Sequence, residues 1–362
     1  MRSPFASPRL RSLAFEIMRT LLAILLALVL ACGIISLTSE TPMETIRIFL
    51  TAPFANDYTR GKMITEAVPL IFTGVAVCIM VQAGQFNMIG EGTFFLGAFV
   101  GAILTVRLQL PPILIPIVAI LAAALIAATV GYVPAQLKAR LKVNEFVSSL
   151  MLNFILFWIV MYLFNNVFAD PNYSSLATHY MQDHQRLPFL NAETEVSSSF
   201  LIAIGFTLLT WAFLYRTHWG YTLRMTGYNS KFARYCGIAT GRVIVLAQVL
   251  GAALAGLGGA AFMLGNFYRF TWKALPNYGF DGFIVAIMAR NQPLLVPFVA
   301  LFLGYLRVGA MEMARLSDVP NEVIYIIQAV MILIVGGQAF LARWRHRRMQ
   351  QRLSEKGGAT HV

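Results

Sequence analysis

Charge is scarce in this chain. Asp, Glu, Lys and Arg make up only 12% of its 362 residues, about half the share found in soluble domains. Acids are the rarer sign, 16 against 28 Lys and Arg. The five histidines, His179, His184, His218, His346 and His361, fall in loops or tails. The three cysteines are scattered, with no C-x-x-C spacing to suggest a metal site. There is no G-x-x-x-x-G-K-[ST], so the chain has no P-loop of its own to cradle ATP phosphates. There is no H-E-x-x-H and no Ser/His/Asp set that stands out. These absences argue against catalysis by this chain.

What it has instead is apolar length. The chain is 58% hydrophobic. Windows such as 13–37, 113–133, 146–168 and 323–341 approach the ~20 residues that cross a bilayer. The expected fold class is all-α, a polytopic membrane protein. A β-barrel is excluded because barrel strands alternate apolar and polar residues. The net charge of +12 follows from Lys and Arg in short loops and tails, as the positive-inside rule expects. No aromatic-basic platform for nucleic acid is seen. Val29-Leu-Ala-Cys32 faintly resembles a lipoprotein cleavage site, but many spans follow, so 13–37 reads as the first of them.

Ten membrane segments are expected: 13–37, 63–83, 91–106, 113–134, 146–168, 199–215, 243–264, 278–289, 293–310 and 322–341. Residues 1–12 form an N-terminal tail, 13–341 the membrane domain and 342–362 a basic C-terminal tail. With both tails cytoplasmic, 19 of the 28 Lys and Arg fall inside, which selects that orientation. The longest outer loop, 169–198, carries Asp170, Asp183, Glu193 and Glu195 against Arg186 alone. A weak internal repeat pairs Asn144-Glu145 with Asn321-Glu322 and Glu91 with Asp281. Five segments per half would invert the second half, although short polar helix caps also give such matches.

Two polar breaks interrupt apolar stretches, Asn87-Met-Ile-Gly-Glu91-Gly92 and Gly279-Phe-Asp281-Gly282. Broken backbone and carboxylates in hydrocarbon must be buried in protein or line a cavity. One such break in each half points to a path across the membrane. Phe86 could stack on a planar ring, and the Asn87 amide could both donate and accept. Glu91 and Asp281 each read two ways: as groups on the path, or as caps holding a half-helix together. Tyr268, Arg269, Trp272, Lys273, Asn277 and Tyr278 line a path, form a docking surface or make an interfacial belt. The run from Gly251 to Ala261 places small residues for close helix packing rather than for a dinucleotide. The loop from Tyr215 to Arg242 is long and basic. Leu223, Met225, Phe232, Tyr235 and Ile238 could offer a partner an apolar face.

Four stretches together carry a resemblance. They are Phe86–Gly92, Asn144–Asn153, Arg224–Ile238 and Tyr278–Gly282 followed by Ala286 and Arg290-Asn291. They resemble the permease subunit of bacterial ABC importers for simple sugars and nucleosides, most closely the nucleoside branch, over about residues 63–340. The resemblance implies a substrate path at Phe86, Asn87, Glu91, Tyr278 and Asp281. It implies coupling to an ATPase through 215–242, at Arg224, Gly227, Asn229, Ala233 and Gly237. It implies a place in the bacterial inner membrane and three protein partners: an ATP-binding-cassette ATPase, a second permease subunit, and a periplasmic or lipoprotein solute-binding protein. No cofactor is expected on this chain, ATP and Mg belonging to the ATPase. Ser230, Phe232 and Cys236 depart from the family's pattern inside the coupling loop. Two rivals remain on the residues: a simple-sugar importer, and a proton-coupled secondary transporter using Glu91 or Asp281 as a relay.

Overall fold

The computed structural model describes residues 29, 33, 36, 40–191, 193–317, 326 and 329. The expected segments 13–37 and 322–341, both tails and the Asn321-Glu322 half of the repeat therefore lie almost wholly outside the described residues. The chain divides into two compact units, Phe54–Tyr305, and Met1–Pro53 together with Leu306–Val362. In the second unit, helix α1 (Pro42–Ala55) buries Phe49, whose carbonyl lies 2.5 Å from where a Cβ on Gly309 would stand.

The first unit holds helices α2 (Asp57–Gln82), α3 (Gly90–Arg107), α4 (Leu114–Leu141), α5 (Glu145–Asn166), α6 (Ser199–Arg216), α7 (His218–Tyr228), α8 (Ser230–Tyr235), α9 (Thr240–Asn266) and α10 (Tyr278–Met288). Helix α11 is Val296–Leu316. Among the described residues six helices are long and apolar enough to cross a membrane. Each helix from α2 to α6, together with α9, α10 and α11, overlaps one of the expected segments. The observed helices run longer at several ends. Helix α4 continues through Pro134 to Leu141, carrying Lys138 and Arg140 on its last turn. Such cations suit a helix C-terminus.

Burial sorts these helices into centre and rim. The apolar windows of α2 and α9 are 78% and 67% buried, those of α5 and α6 only 22% and 28%. The rim helices turn Phe154, Trp158, Tyr162, Leu208 and Leu209 outward. Exposed large apolar residues on that scale have lipid as their natural solvent. Helix α9 is central because its small residues admit neighbouring backbones. A Cβ on Gly97 of α3 would stand 2.0 Å from Gly256 O, and one on Gly259 2.0 Å from Phe94 O. Gly131 and Gly256 make similar approaches between α4 and α9. Close backbone packing replaces the hydrophobic drive that lipid cannot supply.

The outer loop 169–198 is ordered by pairing with the chain after α9. Thr178 N–H donates to Phe270 O at 3.1 Å, Met181 N–H to Tyr268 O at 2.9 Å and Leu187 N–H to Leu264 O at 3.2 Å. A short antiparallel pair, β1 (Phe189–Asn191) with β2 (Val196–Ser197), closes it. Arg186 is buried, with its guanidinium 3.7 Å above the Tyr268 ring. Arg269 donates to Asp170 Oδ2 at 2.8 Å, and His179 Nδ1 lies 3.7 Å from the same oxygen. Tyr268 stacks on Tyr180 at 5.4 Å. So two members of the patch expected around Tyr268 serve the loop.

Two outcomes are expected. Gly97→Ala should lower stability by about 1–3 kcal/mol through overpacking, while Gly241→Ala, with nothing within 4 Å, should not. Thermal unfolding in detergent checks this, and equal midpoints would refute the packing account. Second, the hydrogen bond from Arg269, then that from Asn172 N–H, holds the Asp170 carboxyl below its usual range. A depressed carboxyl stabilises the fold above its unfolded value and loses that contribution as pH falls through its folded one. Protection of the Thr178 and Met181 amides, relative to the intrinsic exchange rate at each pH, should therefore stay high at neutral pH and fall in strong acid. Asp170→Asn should remove that acid dependence.

Candidate functional site

The first break begins as a helix ending. Gly84 adopts φ 72° after α2. Its N–H donates to Val81 O at 2.9 Å, and Gln85 N–H donates to Met80 O at 3.0 Å. This is a Schellman closure, which glycine permits because it has no Cβ. Residues 85–88 then run outside any helix, and Ile89 caps α3, which starts at Gly90.

Those bare backbone groups sit among buried residues, and side chains serve them. Helix α5 presents Glu145, Ser149 and Asn153 at four-residue spacing, one face of a helix. Phe86 N–H donates to Glu145 Oε1 at 3.4 Å. Met88 N–H donates to Ser149 Oγ at 3.0 Å. Asn153 donates to Met88 O at 2.8 Å and accepts from Gly92 N–H at 3.0 Å. Lys138 pairs with Glu145 at 2.6 Å and so ties α4 to the same stripe. From the other side, Asn87 accepts from Ile89 N–H at 2.7 Å and donates to Gln248 Oε1 at 2.7 Å. Gln248 in turn donates to Gln85 Oε1 at 3.2 Å. Gln85, Asn87, Asn153 and Gln248 are all buried.

The second break is displaced from where the sequence put it: Gly279–Gly282 lies inside α10, and the non-helical stretch is residues 267–277, whose end meets the first break at Glu91. This fully buried carboxylate lies in the first turn of α3. Oε1 accepts from Asn277 N–H at 2.7 Å and Oε2 accepts from Gly279 N–H. These are donors at the start of α10, whose preceding residue Asn277 is left-handed at φ 63°. Two helix N-termini thus converge on one carboxyl group, whose oxygens face their N–H donors. The approach is close: a Cβ on Gly279 would stand 2.3 Å from Glu91 N. Thr73 Oγ1 of α2 donates to Tyr278 O at 2.9 Å and fixes the same turn.

The sequence-predicted path residues occupy distinct places around this clamp. Glu91 and Tyr278 meet across it, and Asp281 is half-buried in the first turn of α10. The Tyr278 ring packs edge-on to Phe94 and Phe262, both at 5.5 Å. Trp272 stacks near Phe94 and Phe95, each at 6.3 Å. Asn87 spends its amide inside the protein. Phe86 is different, because its ring is 46% exposed, edge-on to Phe283 at 4.6 Å and tilted against Phe146 at 5.4 Å. Sequence reasoning missed Gln85, Gln248 and Lys138. Gln248 had a usable signal, an amide alone in the middle of the apolar helix α9.

The segment after α6 has its own geometry. Asn229 accepts from Lys231 N–H at 3.1 Å and Phe232 N–H at 3.0 Å, capping α8. Gly237, at φ 80°, closes the other end, with Ile238 N–H donating to Ala233 O at 3.0 Å. Ala233 is buried and Arg224 half-buried, its guanidinium 4.8 Å above the Tyr215 ring. The expected apolar face is corrected in part, since Leu223 is buried. Trp219, Tyr221, Tyr228, Phe232 and Tyr235 are the exposed aromatics of this segment. Among the described residues, no group of His, Cys, Asp and Glu could hold a metal.

If the backbone wiring is correct, Asn153→Leu strands two buried groups, Met88 O and Gly92 N–H, at about 1–3 kcal/mol each. Ser149→Ala strands only Met88 N–H, and Glu91→Gln turns one acceptor into a donor facing a donor. Asn153→Leu should therefore depress the unfolding midpoint most. A Ser149→Ala loss as large as that of Asn153→Leu would contradict it.

One family and several known proteins match this chain in sequence. The family described as "Branched-chain amino acid transport system / permease component" matches residues 59–336. The guanosine ABC transporter permease protein NupP of Bacillus subtilis is 28% identical over 320 residues, 87% of this chain and 92% of that protein. The glucose ABC transporter permease protein TsgB13 of Haloferax volcanii is 28% identical over 314 residues, 84% of this chain and 83% of its own. The nucleoside ABC transporter permease protein NupB of Lactococcus lactis is 28% identical over 148 residues, 41% of this chain and 40% of its own. No solved structure matches the chain.

Proposed function

The chain belongs to the permease component family of branched-chain amino acid transport systems, and on that premise we propose the solute, path and coupling surface of this ABC permease subunit. It is a multi-pass membrane protein and not itself an enzyme; ATP hydrolysis lies in a partner subunit. The family has no cofactor of its own. The solute we assign is nucleoside-like, delivered from outside by a binding protein.

The observation that carries the path is the Glu91 clamp. It joins the two helix breaks at one point, where a conduit built from discontinuous helices needs them. In this reading Glu91 and Asn87 organise the path, and Asp281 and Tyr278 shape its second wall. Phe86, the ring left exposed, is the group that meets the solute. A planar base stacks on such a ring. Two of the similar permeases carry guanosine or nucleoside in their names, which supports this class. A simple sugar is the second reading, favoured by the glucose permease that aligns with 84% of the chain.

The remaining features follow the same proposal. Ten segments form two inverted halves of five, with both termini cytoplasmic in a bacterial inner membrane. The 215–242 region is cytoplasmic and docks α8 into the ATPase. The exposed Tyr228, Phe232 and Tyr235, beside Lys231 and Arg234, support that docking surface. A second permease subunit completes the pathway.

Reconstitution with the ATPase, the second permease and the binding protein tests the proposal. Labelled guanosine should enter vesicles only with ATP. Uptake of glucose but not guanosine would replace the nucleoside by the sugar, and Phe86→Leu would then be tolerated. Asn229→Ala should weaken ATPase association, because losing a helix cap costs about 0.5–2 kcal/mol. Co-purification with the ATPase subunit reads that out.

A further inference from the structure

The end of α2 meets the segment after α6 backbone to backbone. A Cβ on Gly227, in the last turn of α7, would stand 2.1 Å from Gln82 O and 2.8 Å from Gly84 N. A Cβ on Gly84 would stand 3.1 Å from Gly227 Cα. No side chain cushions this contact, so a displacement of α7 is passed directly to the start of the first break. Close-packed interiors transmit strain rather than absorb it.

One side chain extends the contact to the second break. The Gln82 amide donates to Tyr215 Oη at 3.2 Å and to Asn291 O at 3.0 Å. Tyr215 lies in the last turn of α6, where the chain leaves for α7. Asn291 lies in the turn that ends α10, and Arg290 and Asn291 are both left-handed there, at φ 54° and 56°. Gln82 therefore touches the coupling segment's approach, the first break and the end of the second half-helix at once. The surroundings hold unused bonding capacity. Arg224 Nε and Asn291 Oδ1 are buried without hydrogen-bond partners, one a donor and the other an acceptor. Buried polar groups are nearly always paired, so two unpaired ones beside Gln82 set this place apart.

We propose that Gln82, seated beside the Gly84–Gly227 contact, is the positioning residue through which the coupling segment moves both helix breaks together. This deepens the importer reading and rests on it. When the ATPase draws α8, Gly227 pushes Gly84 while Gln82 carries the α6 end and the 289–292 turn along. Phe86, two residues beyond Gly84, changes its exposure as a result.

The test uses the assembled importer with a reporter thiol at Phe86→Cys, in a chain where Cys32, Cys78 and Cys236 are alanine. Maleimide labelling of the reporter is timed with and without ATP and vanadate. The labelling rate should change with nucleotide in the otherwise unaltered chain. In Gln82→Leu that nucleotide effect should shrink about tenfold, the size of a typical coupling between sites. Gln82→Leu should still co-purify with the ATPase and hydrolyse ATP. Tyr215→Phe, which removes one of the two bonds, should fall between. Gly241→Ala, with open space around it, should match the unaltered chain. A nucleotide effect undiminished in Gln82→Leu overturns the proposal, and so does loss of ATPase binding in that variant, which would make Gln82 a determinant of folding. Failure of the wild-type assembly to hydrolyse ATP would instead overturn the importer reading beneath it.

Discussion

Backbone that leaves a helix inside a membrane must find hydrogen-bond partners within the protein. Water is absent there, and each unpaired group costs several kcal/mol. Buried backbone within a protein poses the same requirement, and the rest of this structure is arranged around it at residues 83–92. Helix α5 supplies Glu145, Ser149 and Asn153 to the bare groups, and α9 supplies Gln248 through Asn87. Glu91 then carries the solution across to the second break by accepting both N–H groups at the start of α10. The discontinuities are thereby hydrogen-bonded where they touch protein. Phe86 packs against Phe146 and Phe283 and leaves the rest of its ring exposed.

Such stitching works only if helices approach closely, and small residues permit that. Gly97, Gly256 and Gly259 let α3 and α9 come together at backbone distance. Gln248 can then reach the break from α9 while α5 reaches it from the other side. The same device recurs at Gly84 and Gly227, where the contact lies between a span and the segment leading to α8. Packing and polar satisfaction are thus one design problem here, because the carboxylate and amide side chains are short.

The membrane class, eight of the expected segments as helices and the first break were legible from hydropathy and glycine placement, whereas Gly279–Gly282 proved to be the start of α10 rather than a break. Those signals are local, and a missing stretch of apolar residues shows in any window. The Asn144–Asn153 stretch was legible only as a motif. Its role appeared once its i, i+4, i+8 face was found against Met88 and Gly92, a pairing some sixty residues apart. The outer loop looked merely acidic. Its order comes from backbone pairing with residues 264–270 and from buried Arg186, which no charge count reveals.

The sequence by itself determined that this chain spans a membrane many times and interrupts an apolar stretch just before Glu91. Composition and periodicity decide those matters residue by residue. Only the tertiary structure decided that the two breaks share Glu91, that Asn87 faces Gln248, and that Gly227 rests on Gly84. Hydrogen bonds and backbone contacts between distant segments exist only after the helices have packed. Their partners are chosen by geometry rather than by neighbouring residues.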